Sequence, residues 1–202
     1  MPLTSPDIDD LLVRKYGPKN LEGKLANKLS LQEDVGWPEE PKQAIACLPA
    51  GMTDDLGGAL LKELLPGLLS LPLQLVILGK GSASYGDLFT QLAKKSPHRI
   101  AILPSTEEAI HQMYAGSDLA LFLSPCDKMQ EVRQCMRYGT IPIGPTSKTL
   151  ENYNPNQESG NAFTYEGENV WHCFAALVRA LETYRFPFDW KTIQRHCMEA
   201  RA

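Results

Sequence analysis

Residues 135–150 read CMRYGTIPIGPTSKTL, an apolar run that ends in a turn of hydroxyl and lysine side chains. A turn after a strand, leading to a helix N-terminus, is where backbone amides and a cation gather around a phosphate. Ser147, Lys148 and Thr149 supply two hydroxyls and a charge, but no glycine pair lets the backbone approach a ligand. The stretch is a phosphate-binding turn, an altered one, or a plain connection. Four more loops hold candidates. Residues 50–58 contain Gly51, Leu56 and Gly57, and residues 79–84 contain Gly79, Lys80 and Gly81. Ser105 lies in residues 104–107, and Asp127 and Lys128 in residues 124–128.

Other chemistry is thinly represented. His98, His111, His172 and His196 show no close metal-ligand spacing, so no zinc or other metal site is expected, and no cofactor. Cys47, Cys126, Cys135, Cys173 and Cys197 are scattered, without a C-x-x-C, and read as reduced buried thiols. Lys plus Arg is 20 against 24 Asp plus Glu, and the net charge of −4 argues against a nucleic-acid partner. No uninterrupted apolar stretch is long enough to span a bilayer, so no membrane partner is expected. The start, MPLTSPDIDD, is neither a secretory signal nor an Arg-rich transit peptide. A cytoplasmic location is expected, or a plastid one if the chain is processed or partial.

The positioning elements follow from periodicity. Residues 1–20 read as an exposed lead-in, and 21–202 as one domain, for which 43% hydrophobic residues supply a sizeable core. The spacing predicts a helix over 21–37, with Leu21, Leu25, Leu29 and Leu31 near one face. Strands are predicted at 44–50, 73–81, 99–105, 118–125 and 140–145, and a short one within 161–167. Helices fall between them, one with an irregularity at Pro66 and one capped by Thr106. Residues 152–161 form a polar loop, and two helices close the chain. Strands alternating with helices define an α/β fold with a Rossmann-like, doubly wound parallel sheet. Ligands bind such sheets beyond the carboxyl ends of the strands, where the five candidate loops lie.

The sequence also resembles the C-terminal half of bacterial glycogen synthases and plant starch synthases. LEGKLANKLSLQEDVGWP, IHQMYAGSDLAL, MRYGTIPI and GNAFTY carry the likeness, which runs over nearly the whole chain. The resemblance implies one half of a GT-B glucosyltransferase using ADP-glucose, without the N-terminal half. His111, Met136 and Tyr138 match scaffold positions. The family's sugar-nucleotide contacts depart together. Gly51 stands for an Arg and Leu56 for a Lys, the cations that neutralise the leaving pyrophosphate; only Gly57 matches. Asp127, in a loop one residue shorter, stands nearest to the family's Glu at the glucose. Ser147, Lys148 and Thr149 replace Thr-Gly-Gly, and Ser105 replaces a Tyr beside the base. No catalytic residue is therefore assigned.

The expected function is a glycogen or starch synthase-like domain, inactive by itself, that binds, regulates or assembles in glucan metabolism. Its possible partners are a weakly held glucan or nucleotide sugar, and a protein. The alternative is the sugar-nucleotide-binding part of a working glucosyltransferase, with Lys80, Lys128 and Lys148 as new cations. Trp171 and Trp190 are expected to pack on their helices rather than stack on sugars. Trp37, beside Pro38, is the candidate exposed aromatic or equally packs under the sheet.

Overall fold

Short apolar runs bounded by turn signals suit strands covered on both faces. The protein, seen here in a computed structural model that describes residues 4–200, pairs six of them. They are β1 (Ala44–Leu48), β2 (Leu73–Leu78), β3 (Ile100–Leu103), β4 (Leu119–Leu121), β5 (Ile141–Pro145) and β6 (Phe163–Tyr165). The sheet runs β3-β2-β1-β4-β5-β6. Every pair is parallel, and Ala46 is in register with Leu75 on one side and Leu119 on the other. β1 and β2 are buried at every residue.

Parallel neighbours need crossovers, supplied by α2 (Gly58–Ser70), α3 (Ala83–Lys95), α4 (Glu107–Gly116) and α5 (Gln130–Arg137). Right-handed crossovers running in opposite directions from β1 put α2 and α3 on one face and α4 and α5 on the other. α1 (Glu22–Asp34) packs on α4, α6 (Val170–Tyr184) on α2 and β6, and α7 (Pro187–Glu199) on α5 and α6. The Thr106 hydroxyl accepts from the Ala109 amide, as a cap should, and Pro66 stays within α2.

α1 departs from its leucine pattern. Leu31 is fully buried, but Leu25 is 45% exposed. The inward face is Lys24, Asn27, Lys28, Leu31 and Gln32, a helical stripe that is mostly polar. Lys24 Nζ donates to the carbonyls of Tyr114 (3.0 Å), Ala115 (3.2 Å) and Tyr138 (3.0 Å) and meets Thr140 Oγ1 at 3.0 Å. Burial lowers this ammonium to about 8. Lys28 Nζ donates to Asp118 at 2.7 Å and to the Tyr184 hydroxyl at 2.6 Å. Asp118 also accepts from the Ile45 amide at 2.9 Å, so one carboxylate holds α1 to the entries of β1 and β4.

The lead-in is only partly exposed. Ile8 and Val13 face solvent, whereas Asp9, Leu12 and Tyr16 are buried. Asp9 meets His111 Nδ1 at 2.6 Å and accepts from the Tyr138 hydroxyl at 2.6 Å, while the Tyr16 hydroxyl donates to the Tyr138 carbonyl at 2.7 Å. Burial alone would raise the Asp9 carboxyl, but hydrogen bonds from Tyr138, His111 and the Leu11 amide hold it below its ordinary value. Residues 1–3 of the lead-in and 201–202 of the closing helix lie outside the described residues. Trp37 is buried and donates to the Pro97 carbonyl at 2.9 Å, and Trp190 is buried as expected. Trp171, expected to pack, is 74% exposed.

All five cysteines are free and buried. Burial pushes the Cys47 and Cys173 thiols up to about 12 and Cys126 up to about 11. The unfolded chain releases these protons near pH 9 while the folded chain keeps them, so their contribution is complete below pH 9 and is lost towards pH 12. Lys24, lowered by burial, works oppositely above pH 8, but one ammonium is outweighed by three thiols. Urea unfolding midpoints are expected to fall as pH rises above 9, and Cys47→Ala is expected to flatten part of that fall.

Candidate functional site

In a sheet of this order the chain leaves β1 one way and β4 the other, so a ligand crevice is expected beyond their carboxyl ends. The loop after β1 and the loop after β4 meet there around a cavity of about 10 Å³, lined by Ala50, Gly51, Met52, Leu56, Leu123 and Met129, among others. That is room for about one water molecule. Met52 is buried, and Leu56 and Met129 are half-buried, so apolar side chains fill the space between the two loops.

The loop glycines explain the closeness. Gly51 has φ 68°, and a Cβ there would lie 1.9 Å from the Lys80 carbonyl oxygen. Gly81 has φ 117°, and its Cβ would lie 2.1 Å from the Met52 oxygen. The Met52 amide donates to the Lys80 carbonyl at 3.3 Å, and the Ser82 amide to the Met52 carbonyl at 3.1 Å. Only residues without a Cβ allow this interlock. Gly51, which stands where the resemblance expects an Arg, and Gly81, a candidate for ligand contact, admit each other's loops.

The start of α2 is likewise taken. Asp54, Asp55 and Leu56 form a 3₁₀ turn just before it, with Gly57 as its N-cap at φ 87°. The Tyr85 hydroxyl donates to Asp54 at 2.6 Å and lies over Gly58, whose added Cβ would be 1.8 Å from it. The positive end of a helix dipole, ordinarily an anion site, here follows directly on a turn carrying two exposed carboxylates of the chain itself.

Asp127 is exposed and accepts from the Lys148 amide at 3.0 Å. Ser147 Oγ accepts from the amides of Thr149 (3.3 Å) and Leu150 (3.1 Å). No helix follows, so the expected helix cap at Ser147 is a hydroxyl-closed turn whose amides are already used. Lys80 is paired with Glu131 at 3.1 Å. Gly79 and Gly81, with Lys80, Ser82 and Tyr85, line an open hollow of about 330 Å³ past β2 and β3. Ser105 is exposed after edge strand β3, four strand positions and so roughly 20 Å from the end of β5. The fold therefore gathers Gly51, Leu56, Gly57 and Gly81 into one wall and Asp127 with Ser147–Thr149 into another, and leaves Ser105 apart. Sequence reasoning misses Met52, Met129 and Tyr85; bulky residues in polar loops give only a faint sign that they plug a space. Among the described residues, no cluster of His, Cys, Asp and Glu could hold a metal ion, and no helix is long and apolar enough to cross a membrane.

The sheet order matches the Rossmann-like domains of GT-B glycosyltransferases. The catalytic domain of starch synthase IV from Arabidopsis thaliana, bound to ADP and acarbose, superposes with a TM-score of 0.83 at 24% identity, over 96% of this chain and 42% of that one. The C-terminal domain of a group 1 glycosyl transferase from Francisella tularensis superposes with a TM-score of 0.63 at 11% identity, over 86% of this chain and 90% of that one. Glycogen synthase 2 of Geobacter sulfurreducens is 34% identical over 202 residues, covering 96% of this chain and 41% of its own length. Glycogen synthase 1 of Methylococcus capsulatus is 34% identical over 94% of this chain and 40% of its own. No family model matches. Within the GT-B class the chain is a glycogen/starch synthase-like glycosyltransferase domain, spanning about two-fifths of the length of these relatives.

Gly51→Arg, which restores the side chain the resemblance leads one to expect, forces a Cβ into the Lys80 carbonyl at a left-handed backbone position. It is expected to cost at least about 2 kcal/mol, read as a lowered melting temperature.

Proposed function

We propose that this domain no longer performs sugar-nucleotide-dependent glucosyl transfer and acts in glucan metabolism as a binding, regulatory or assembly partner. The carrying observation is the filled crevice: about 10 Å³ between the β1 and β4 loops, walled by Met52, Leu56 and Met129. Glucosyl transfer from a nucleotide sugar builds negative charge on the departing pyrophosphate, and preorganised cations facing that charge lower the barrier. Removing one such group costs about 10²–10³ in rate. Here Gly51 and Leu56 offer none, Asp54 and Asp55 add charge of the wrong sign, and Lys80 is engaged by Glu131. Asp127 is turned to its own chain's backbone.

A second reading, a working sugar-nucleotide-binding half with altered contacts, is favoured by the exposed Lys128 and Lys148 beside the β4 and β5 loops. Calorimetry separates the two. Under the first reading, ADP, UDP, ADP-glucose and UDP-glucose are expected to bind no tighter than about 1 mM, the affinity of only about 4 kcal/mol. Incubation with ADP-glucose and a glucan primer is expected to incorporate no glucose. Micromolar nucleotide binding, or clear incorporation, would reverse the assignment.

A further inference from the structure

At the opposite end of the sheet from the crevice lies a hollow of about 630 Å³, where the chain enters β1 and β4 and α6 turns into α7. Its apolar lining comes from Leu21, Leu25, Pro41, Tyr184, Pro187 and Trp190. Lys24 and Lys28 also line it, but their ammonium groups are spent on carbonyls, Asp118 and Tyr184. Lys42, Arg185 and Lys191 line it as well and are exposed. Through Leu21 and Lys191 it is shared with a second hollow of about 200 Å³, which adds Lys19 and Arg195. The acids lining the two hollows are Asp118, neutralised by Lys28, and Glu22. Arg185 also reaches Glu182, on exposed surface. Five outward cations thus gather on a chain whose net charge is −4. Leu25 is 45% exposed, and Phe186 and Phe188, which flank Pro187, are 59% and 64% exposed.

We infer that this groove receives an acidic peptide segment of a partner protein that carries bulky apolar side chains. Apolar anchors enter the larger hollow while carboxylates meet the cations along it, the apolar core and polar rim of a protein interface. Exposed large apolar groups beside such a hollow mark an interaction surface. A nucleic-acid backbone would match the cations but leave the apolar lining uncovered. A small anion would find the deep ammonium groups already satisfied. Since the groove lies away from the crevice, the inference stands whether or not the crevice is active.

The test uses the full chain and fluorescence anisotropy. The probe is a labelled amphipathic helical peptide with leucines at heptad spacing and glutamates elsewhere. A lysine-for-glutamate twin and a single-stranded RNA oligomer serve as controls. The glutamate peptide is expected to bind in the micromolar range, and the lysine twin at least about tenfold more weakly. Lys42→Glu combined with Lys191→Glu, and separately Leu25→Asp, are each expected to weaken binding by about tenfold or more. All three residues are exposed, so melting temperatures should stay near that of the parent chain. The inference is overturned if the twins bind alike, if charge reversal or Leu25→Asp changes nothing, or if RNA displaces the glutamate peptide. It also fails if sedimentation shows Leu25→Asp dissolving a dimer built on this face.

Discussion

The architecture rests on one buried carboxylate. Asp118 takes the Ile45 amide and the Lys28 ammonium, and Lys28 in turn reaches the Tyr184 hydroxyl. Those contacts fix the entries of the two central strands, the first helix and the end of the sixth against one another. A buried ion pair is seldom a large net source of stability, because desolvation offsets its attraction. Its effect is specificity: a helix whose inward face is Lys24, Asn27, Lys28 and Gln32 satisfies those groups in one seat only. Lys24, with three carbonyls and a hydroxyl around its ammonium, adds a second such constraint one turn away.

While the amino end of the sheet is held this way, the loops at its carboxyl end lie closed against one another. The Met52 and Gly81 loops share backbone hydrogen bonds in place of leaving a space. The amides of the residue 147–150 turn are taken by Ser147 and Asp127. Lys80 is held by Glu131. Each feature alone is an ordinary loop contact. Together they satisfy, within the chain, the amides of the 147–150 turn and the Lys80 ammonium at this end of the sheet.

The two ends of the domain therefore carry opposite characters. The crevice end is acidic at Asp54 and Asp55 and packed with methionine and leucine. The other end keeps an open, apolar hollow edged by Lys42, Arg185 and Lys191. A tightly packed crevice at one end and a cationic groove at the other are the observations on which the proposed binding role rests.

The sequence by itself determined the strands and helices seen among the described residues and their parallel, doubly wound class, because apolar runs and caps are local signals; the order of the strands came from the structure. It also determined that neither Gly51 nor Leu56 supplies a cation, since residue identity needs no coordinates. It misled at α1, where leucine spacing suggested the inward face. Lysine, asparagine and glutamine are buried there because partners from α4, Asp118 before β4, Gln74 of β2 and the lead-in complete their hydrogen bonds, and no local pattern announces lysine partners about 90 residues away. The lead-in looked exposed for the same reason: Asp9 is buried only because His111 and Tyr138 meet it. Whether Gly51 and Gly81 admitted a ligand or each other's loop was likewise undecidable from their names. Only the tertiary structure, which brings two loops to within a hydrogen bond of one another, decided that the turn at Ser147–Thr149 and its neighbours are closed.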